Sequence, residues 1–158
     1  MDRAKLYVET TVPSYLTARR NRDLQLAADQ QITHEWWESH RHAYDLFVSA
    51  AVLTEAGNGD REFAAKRLMA LSGIRILQIT EEVATLASLL LSQQIIPSIA
   101  APDAVHLACA AVHGIEFLLT WNCKHIHNPK LEGRIAAACQ ELGFRCPIIC
   151  TPAELMKS

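Results

Sequence analysis

The chain has 158 residues, half of them hydrophobic and few of them Pro or Gly, which excludes wholesale disorder and fits one domain over residues 1–158 with a sizeable core. A net charge of −2 excludes recognition of nucleic acid by bulk charge alone, and five cysteines, an odd number without a secretion signal, exclude a disulfide framework. No apolar run is long enough to cross a bilayer and "MDRAKLYVE" lacks the apolar segment of a leader, so the expectation is a soluble, cytoplasmic protein with no membrane partner.

"KLYVE" reads as a first strand, and Pro13 in "TTVPSYL" suggests that a helix begins at once. "TARRNRD" is the loosest segment. "NRDLQLAADQQITHEWWESHRH" reads as a long helix, in which adjacent Trp36 and Trp37 point to different sides; one is expected in the core and the other at a partner helix or a second copy. "YDLFVSA" is a second strand. "GDREFAAKRLMAL" sets Phe63, Ala64, Arg67, Leu68 and Leu71 along one helical face behind a Gly59-Asp60 turn and cap. "IRILQIT" is a third strand, and "EEVATLASLLLSQ" an amphipathic helix packing Val83, Leu86, Ala87, Leu90 and Leu91. "APDAVHLACAAVHG" opens a helix at Pro102 and closes it at Gly114, with Ala104, Leu107, Ala108 and Ala111 as its packing stripe and His106 on the opposite, surface edge. "EFLLT" is a fourth strand, "NPKLEGRIAAACQELG" a helix closing at Gly143, and "CPIIC" a last short strand. "TPAELMKS" starts a final helical turn capped by Thr151. Strands alternating with helices predict an α/β domain with a mostly parallel sheet of four to five strands and helices on both faces.

In such sheets ligands gather beyond the carboxyl ends of the strands. Glu9 follows strand one, Glu55 lies one or two helical turns past strand two, Asp103 opens a helix, and Asn122 follows strand four. Asp103 alone also suits a helix N-terminus, Glu55 a solvated helix face and Asn122 an Asx-turn; their joint placement is what points to a site. Two carboxylates about 5 Å apart repel by roughly 3 kcal/mol at an effective dielectric near 20, so the cluster must take up protons or bind a cation. An all-oxygen set favours Mg²⁺ or Mn²⁺ over zinc, and a water on such an ion is a nucleophile for phosphodiester hydrolysis. Discounting the charges of Glu9, Glu55 and Asp103 moves the net charge from −2 to +1, which softens the case against a nucleic-acid substrate.

The segments "YVETTVPS", "VLTEAGNGD", "APDAVHLACAAVHGIEFLLTWNCKHI" and "TPAEL" span nearly the whole chain, and their order resembles the PIN-domain nucleases, most closely the VapC-like toxins of bacterial toxin–antitoxin pairs. The resemblance implies a PIN-like three-layer sandwich and a metal-dependent endoribonuclease. It also implies a homodimer and a small antitoxin partner that blocks the site. Glu9 then takes the place of the usual first Asp, and Glu55 and Asp103 those of the second and third acids. Thr10 and Thr120 stand where a hydroxyl supports the site, and Asn122 where a fourth acid is common. Glu for Asp at position 9 moves the carboxylate outward by about 1.5 Å, one carbon–carbon bond. Asn122 offers a neutral carbonyl that orients water or completes the shell, so one tightly held ion is expected. The same two departures motivate a second reading, a catalytically weak PIN-fold RNA-binding or regulatory module.

Other groups are weaker signals. Lys124 and His125 follow Asn122 closely enough to meet a scissile phosphate, and Arg19 and Arg20 to guide an RNA backbone. Cys123, His125 and His127 lack the four-ligand spacing of a zinc site, and Cys146 and Cys150 are read as structural thiols near each other. No Gly-rich phosphate loop or nucleophile elbow is present.

Overall fold

The computed structural model describes residues 2–157. Its five strands are β1 (Ala4–Val8), β2 (Tyr44–Ser49), β3 (Arg75–Leu77), β4 (Phe117–Leu119) and β5 (Ile148–Cys150), all parallel, in the order β3-β2-β1-β4-β5. The flanking helices are α1 (Thr11–Thr17), α2 (Leu24–Ser39), α3 (Ala50–Ala56), α4 (Arg61–Ala70), α5 (Glu81–Ser92), α6 (Ala101–Val112), α7 (Pro129–Glu141) and α8 (Pro152–Leu155). This is the α/β sandwich the alternating pattern predicts. From β1 the chain steps outward to β2 and β3, then returns to the other side of β1 for β4 and β5. The reversal falls between β1 and β4, the switch point beyond whose strand ends such sheets form a crevice.

The central strand is apolar where it is enclosed: Leu6, Tyr7 and Val8 have no exposed surface. Pairing persists one residue further, because the Glu9 amide donates to the Leu119 carbonyl at 3.1 Å. The strand is therefore held to the sheet up to the carboxylate itself. Asp23 caps α2 by accepting from the Leu26 amide, Asp60 caps α4 and Thr80 caps α5. Gly114 (φ +68°) and Gly143 (φ +84°) close α6 and α7 in the left-handed region that glycine enters at no cost. Thr151 and Glu154 form a reciprocal capping box on α8, whose expected last residue, Ser158, lies outside the described residues.

Several expectations change. "IRILQIT" forms only a three-residue strand because Thr80 turns to cap α5. Trp36 and Trp37 are both buried, at 0% and 4% exposure, with Arg41 covering the Trp37 ring at 5.0 Å, so neither is left for a partner. Leu68 leaves the packed face of α4, while Arg67 stays beside it by donating to the Ala56 and Asn58 carbonyls. Helix α6 is buried well beyond its predicted stripe: His106, Cys109 and Ala110 are as enclosed as Ala104 and Leu107. Its alanines let α5 and α3 close on it from more than one side. The Cys146 and Cys139 thiols lie side by side, and all five cysteines are free.

Candidate active site

Glu9 stands at the end of β1 with 3% of its surface exposed. Its Oε1 accepts two hydroxyls, from Thr11 at 2.5 Å and Thr120 at 2.6 Å. Each hydroxyl oxygen in turn accepts a backbone amide of the β4 exit, Trp121 to Thr11 and Asn122 to Thr120, both at 2.8 Å. The carboxylate is thus stitched into the crevice from both strands that border it. Burial nevertheless holds its pKa above the usual carboxylate range, against the charge of His106 and the two hydroxyls.

Glu55, near the end of α3, reaches the same crevice with a third of its side chain exposed. Its Oε1 accepts the Thr10 hydroxyl and the His106 Nε2–H, each at 2.6 Å. Burial is the largest single influence on this group and pushes its pKa up. The bond and charge of His106, together with Thr10, outweigh it and leave Glu55 below the usual range. One donor atom each from Glu9, Glu55 and His106 lie within 4.8 Å of one another. Thr10 bonds Glu55 and Thr120 bonds Glu9, one hydroxyl on each acid.

Asp103 falls outside that 4.8 Å group. In the first turn of α6, it meets the His125 Nδ1 through Oδ2 at 3.1 Å. Asn122 corrects the expectation made for it. Its Oδ1 accepts the amides of Lys124 at 3.2 Å and His125 at 3.0 Å, so the carbonyl expected to complete a metal shell or orient water forms an Asx-turn. Its effect on the site passes through His125, which that turn places against Asp103. Lys124 is exposed beside it. Arg19 and Arg20 are exposed and bonded to none of the acids; the Arg19 guanidinium lies over the Phe63 ring at 5.4 Å. Cys123, His125 and His127 have separate surroundings, His127 being bonded to Glu154 at 2.7 Å.

His106 and Thr11 were not selected from the sequence. His106 was read as a surface residue, yet it has no exposed surface and touches Glu55. The available signal was its position three residues after Asp103, on the same side of the helix. Thr11 was legible only as the second hydroxyl of "ETT".

A divalent cation fits the Glu9 and Glu55 pair, with Asp103 outside their 4.8 Å group. The hydroxyl and imidazole bonds fall on one oxygen of each acid, Oε1 of Glu9, Oε1 of Glu55 and Oδ2 of Asp103. Among the described residues the second oxygen of each has no side-chain partner, and hard oxygens of this kind suit Mg²⁺ or Mn²⁺. Two charges near 4.8 Å still repel by about 3 kcal/mol at an effective dielectric of 20, a cost that a cation between them removes.

A family model described as the PIN domain matches residues 6–124, a span that contains Glu9, Glu55, Asp103, Thr120 and Asn122. Among solved structures, the chain is similar to one in a crystal structure of VapBC2 from Rickettsia felis bound to a DNA fragment from their promoter. The two share 16% sequence identity over 93% of this chain and 98% of that one, with a TM-score of 0.55, a likeness of fold. No curated protein matches the chain in sequence.

Proposed function

The chain belongs to the PIN domain family, and from that premise we propose that it is a metal-dependent endoribonuclease of the VapC-like toxin kind, hydrolysing RNA phosphodiester bonds. The observation that carries the reading is the buried Glu9 carboxylate, held above the usual carboxylate range and grouped within 4.8 Å with Glu55 and His106. Glu9, Glu55 and Asp103 would hold Mg²⁺ or Mn²⁺ through the oxygens their hydroxyl and imidazole partners leave free. When bound, the ion polarises a phosphate oxygen and lowers the pKa of the attacking water.

The remaining roles belong to the chain's own residues. Thr11 and Thr120 fix Glu9, and Thr10 and His106 fix Glu55, so neither carboxylate needs reordering when substrate arrives. His125, set by the Asn122 turn, and Lys124 stand beside Asp103 to meet the scissile phosphate. Arg19 and Arg20 guide the RNA backbone toward the crevice. The proposed partners are a small antitoxin and a second copy of the chain, for which exposed apolar side chains such as Met69 (76%) and Ile99 (91%) are available. The proposed location is the cytoplasm; among the described residues no helix is long and apolar enough to cross a membrane.

One observation favours the second reading, a weak RNA-binding or regulatory module. The Asn122 carbonyl is already committed to a turn, and no fourth acid stands in its place. An RNA-cleavage assay separates the two. With Mn²⁺ the purified chain is expected to cut single-stranded RNA, and chelation or Asp103→Asn is expected to stop it. Cutting that survives both would overturn the nuclease mechanism, and RNA bound in Mn²⁺ but left intact would favour the second reading.

A further inference from the structure

Behind Glu55 a line of buried polar groups runs back into the sheet. The His106 Nε2 is 2.6 Å from Glu55 Oε1, its Nδ1 is 2.8 Å from the Tyr7 hydroxyl, and that hydroxyl is 2.8 Å from Ser49 Oγ. Ser49, Tyr7 and His106 have no exposed surface. The four residues come from β2, β1, α6 and α3, so the line ties the partly exposed Glu55 to strands β1 and β2.

Hydrogen-bond capacity fixes the outer end of the line. An ionised Glu55 only accepts, so Nε2 carries the proton it shares. The Nδ1 is bonded in turn to the Tyr7 hydroxyl, and that hydroxyl to Ser49 Oγ. Burial keeps the Tyr7 phenol well above its ordinary pKa, so its proton stays in place. A buried histidine needs a hydrogen-bond partner of some kind for its ring nitrogens. This one ends on an acid of the candidate site, on the oxygen that Thr10 also holds.

We propose that His106 is a positioning residue for the divalent-metal site: backed by Tyr7 and Ser49, it fixes the Glu55 carboxylate so that the other oxygen faces the ion. The inference rests on the metal-site reading above, and it adds the prediction that metal affinity depends on a phenol beyond the reach of any ligand. Loss of an outer hydrogen-bond partner of a metal ligand typically costs 10–100-fold in affinity.

The experiment is Mn²⁺ calorimetry on wild type, Tyr7→Phe, His106→Leu and His106→Gln, with nitrogen NMR of histidine side chains on the metal-free proteins. Tyr7→Phe removes one buried hydroxyl and keeps the ring. It is expected to weaken Mn²⁺ binding by about 10–100-fold. His106→Leu is expected to do at least the same, while His106→Gln, which keeps an N–H near the Nε2 position, recovers most of the loss. In wild type without metal, NMR is expected to show a protected, downfield Nε2 proton that Tyr7→Phe shifts or removes. Equal Mn²⁺ affinity in wild type, Tyr7→Phe and His106→Leu overturns the proposal. So does a histidine-nitrogen coupling in pulsed EPR of the Mn²⁺-bound protein that His106→Gln abolishes, which would make His106 a ligand. If wild type shows the protected proton but no Mn²⁺ binding, the metal-nuclease reading fails and the positioning role toward metal falls with it. If Mn²⁺ binds without that proton, the nuclease reading stands and only the proposal fails.

Discussion

Glu9→Gln is expected to abolish RNA cleavage while making the metal-free protein more stable at neutral pH. The amide keeps the volume of the side chain, and its oxygen can accept the Thr11 and Thr120 hydroxyls that Glu9 accepts now. What it removes is the charge. Removing one preorganised charge-stabilising group costs about 10²–10³ in kcat, and the loss here should be at least that large because the ion loses a ligand as well. The stability effect follows from the direction of the pKa shift. Burial raises Glu9 above the usual range, so the folded state binds this proton more tightly than the unfolded state. The stability this group contributes is full below the ordinary glutamate range and is lost as pH rises through the raised folded value. Glu55 is lowered and acts in the opposite sense: its contribution is present above the ordinary range and is lost as pH falls through the folded value. Thermal melts in chelator, from acidic to neutral pH, should show the Glu9→Gln advantage growing as pH rises. A variant that melts below wild type at neutral pH would mean that the chain already compensates the Glu9 charge.

Saturating Mn²⁺ is expected to reverse that order. An ion bound only by the folded state at one hundred times its Kd adds about 2.7 kcal/mol, which at roughly 2–4 °C per kcal/mol for a chain of this size raises Tm by about 5–11 °C. Wild type should gain this shift and Glu9→Gln only a small part of it. The two proteins therefore exchange places in the melting order between chelator and Mn²⁺, a crossing that general ionic strength does not produce. Equal shifts in both proteins would place the ion away from Glu9.

The buried position of Glu9 was legible because strand ends are. "KLYVE" had to end a buried strand on a carboxylate, "FLLT" ended on a hydroxyl that now bonds it, and the alternation of elements set both at the switch between β1 and β4. Capping was legible too, as at Asp60 and Thr151, because it depends on residues a few positions apart. His106 was not, because its burial depends on how many neighbours α6 has, which its own periodicity does not record. Asn122 was misjudged for a related reason. The same amide forms an Asx-turn or ligates an ion, and only the backbone amides of Lys124 and His125 decide between them. Asp103 shows the remaining gap: it stands in the first turn of α6, as its place after Pro102 suggests, while its polar contact with the His125 ring depends on the path of a loop.

The central claim is that separate carboxylates at one sheet edge are held together to share a divalent ion, and the most direct test is a crystal of the chain soaked in Mn²⁺ and measured at the manganese absorption edge. The account predicts one strong anomalous peak bound by carboxylate oxygens of Glu9, Glu55 and Asp103 at about 2.1 Å. A crystal saturated with Mn²⁺ that shows no peak there, or an ion held by other residues, would contradict it.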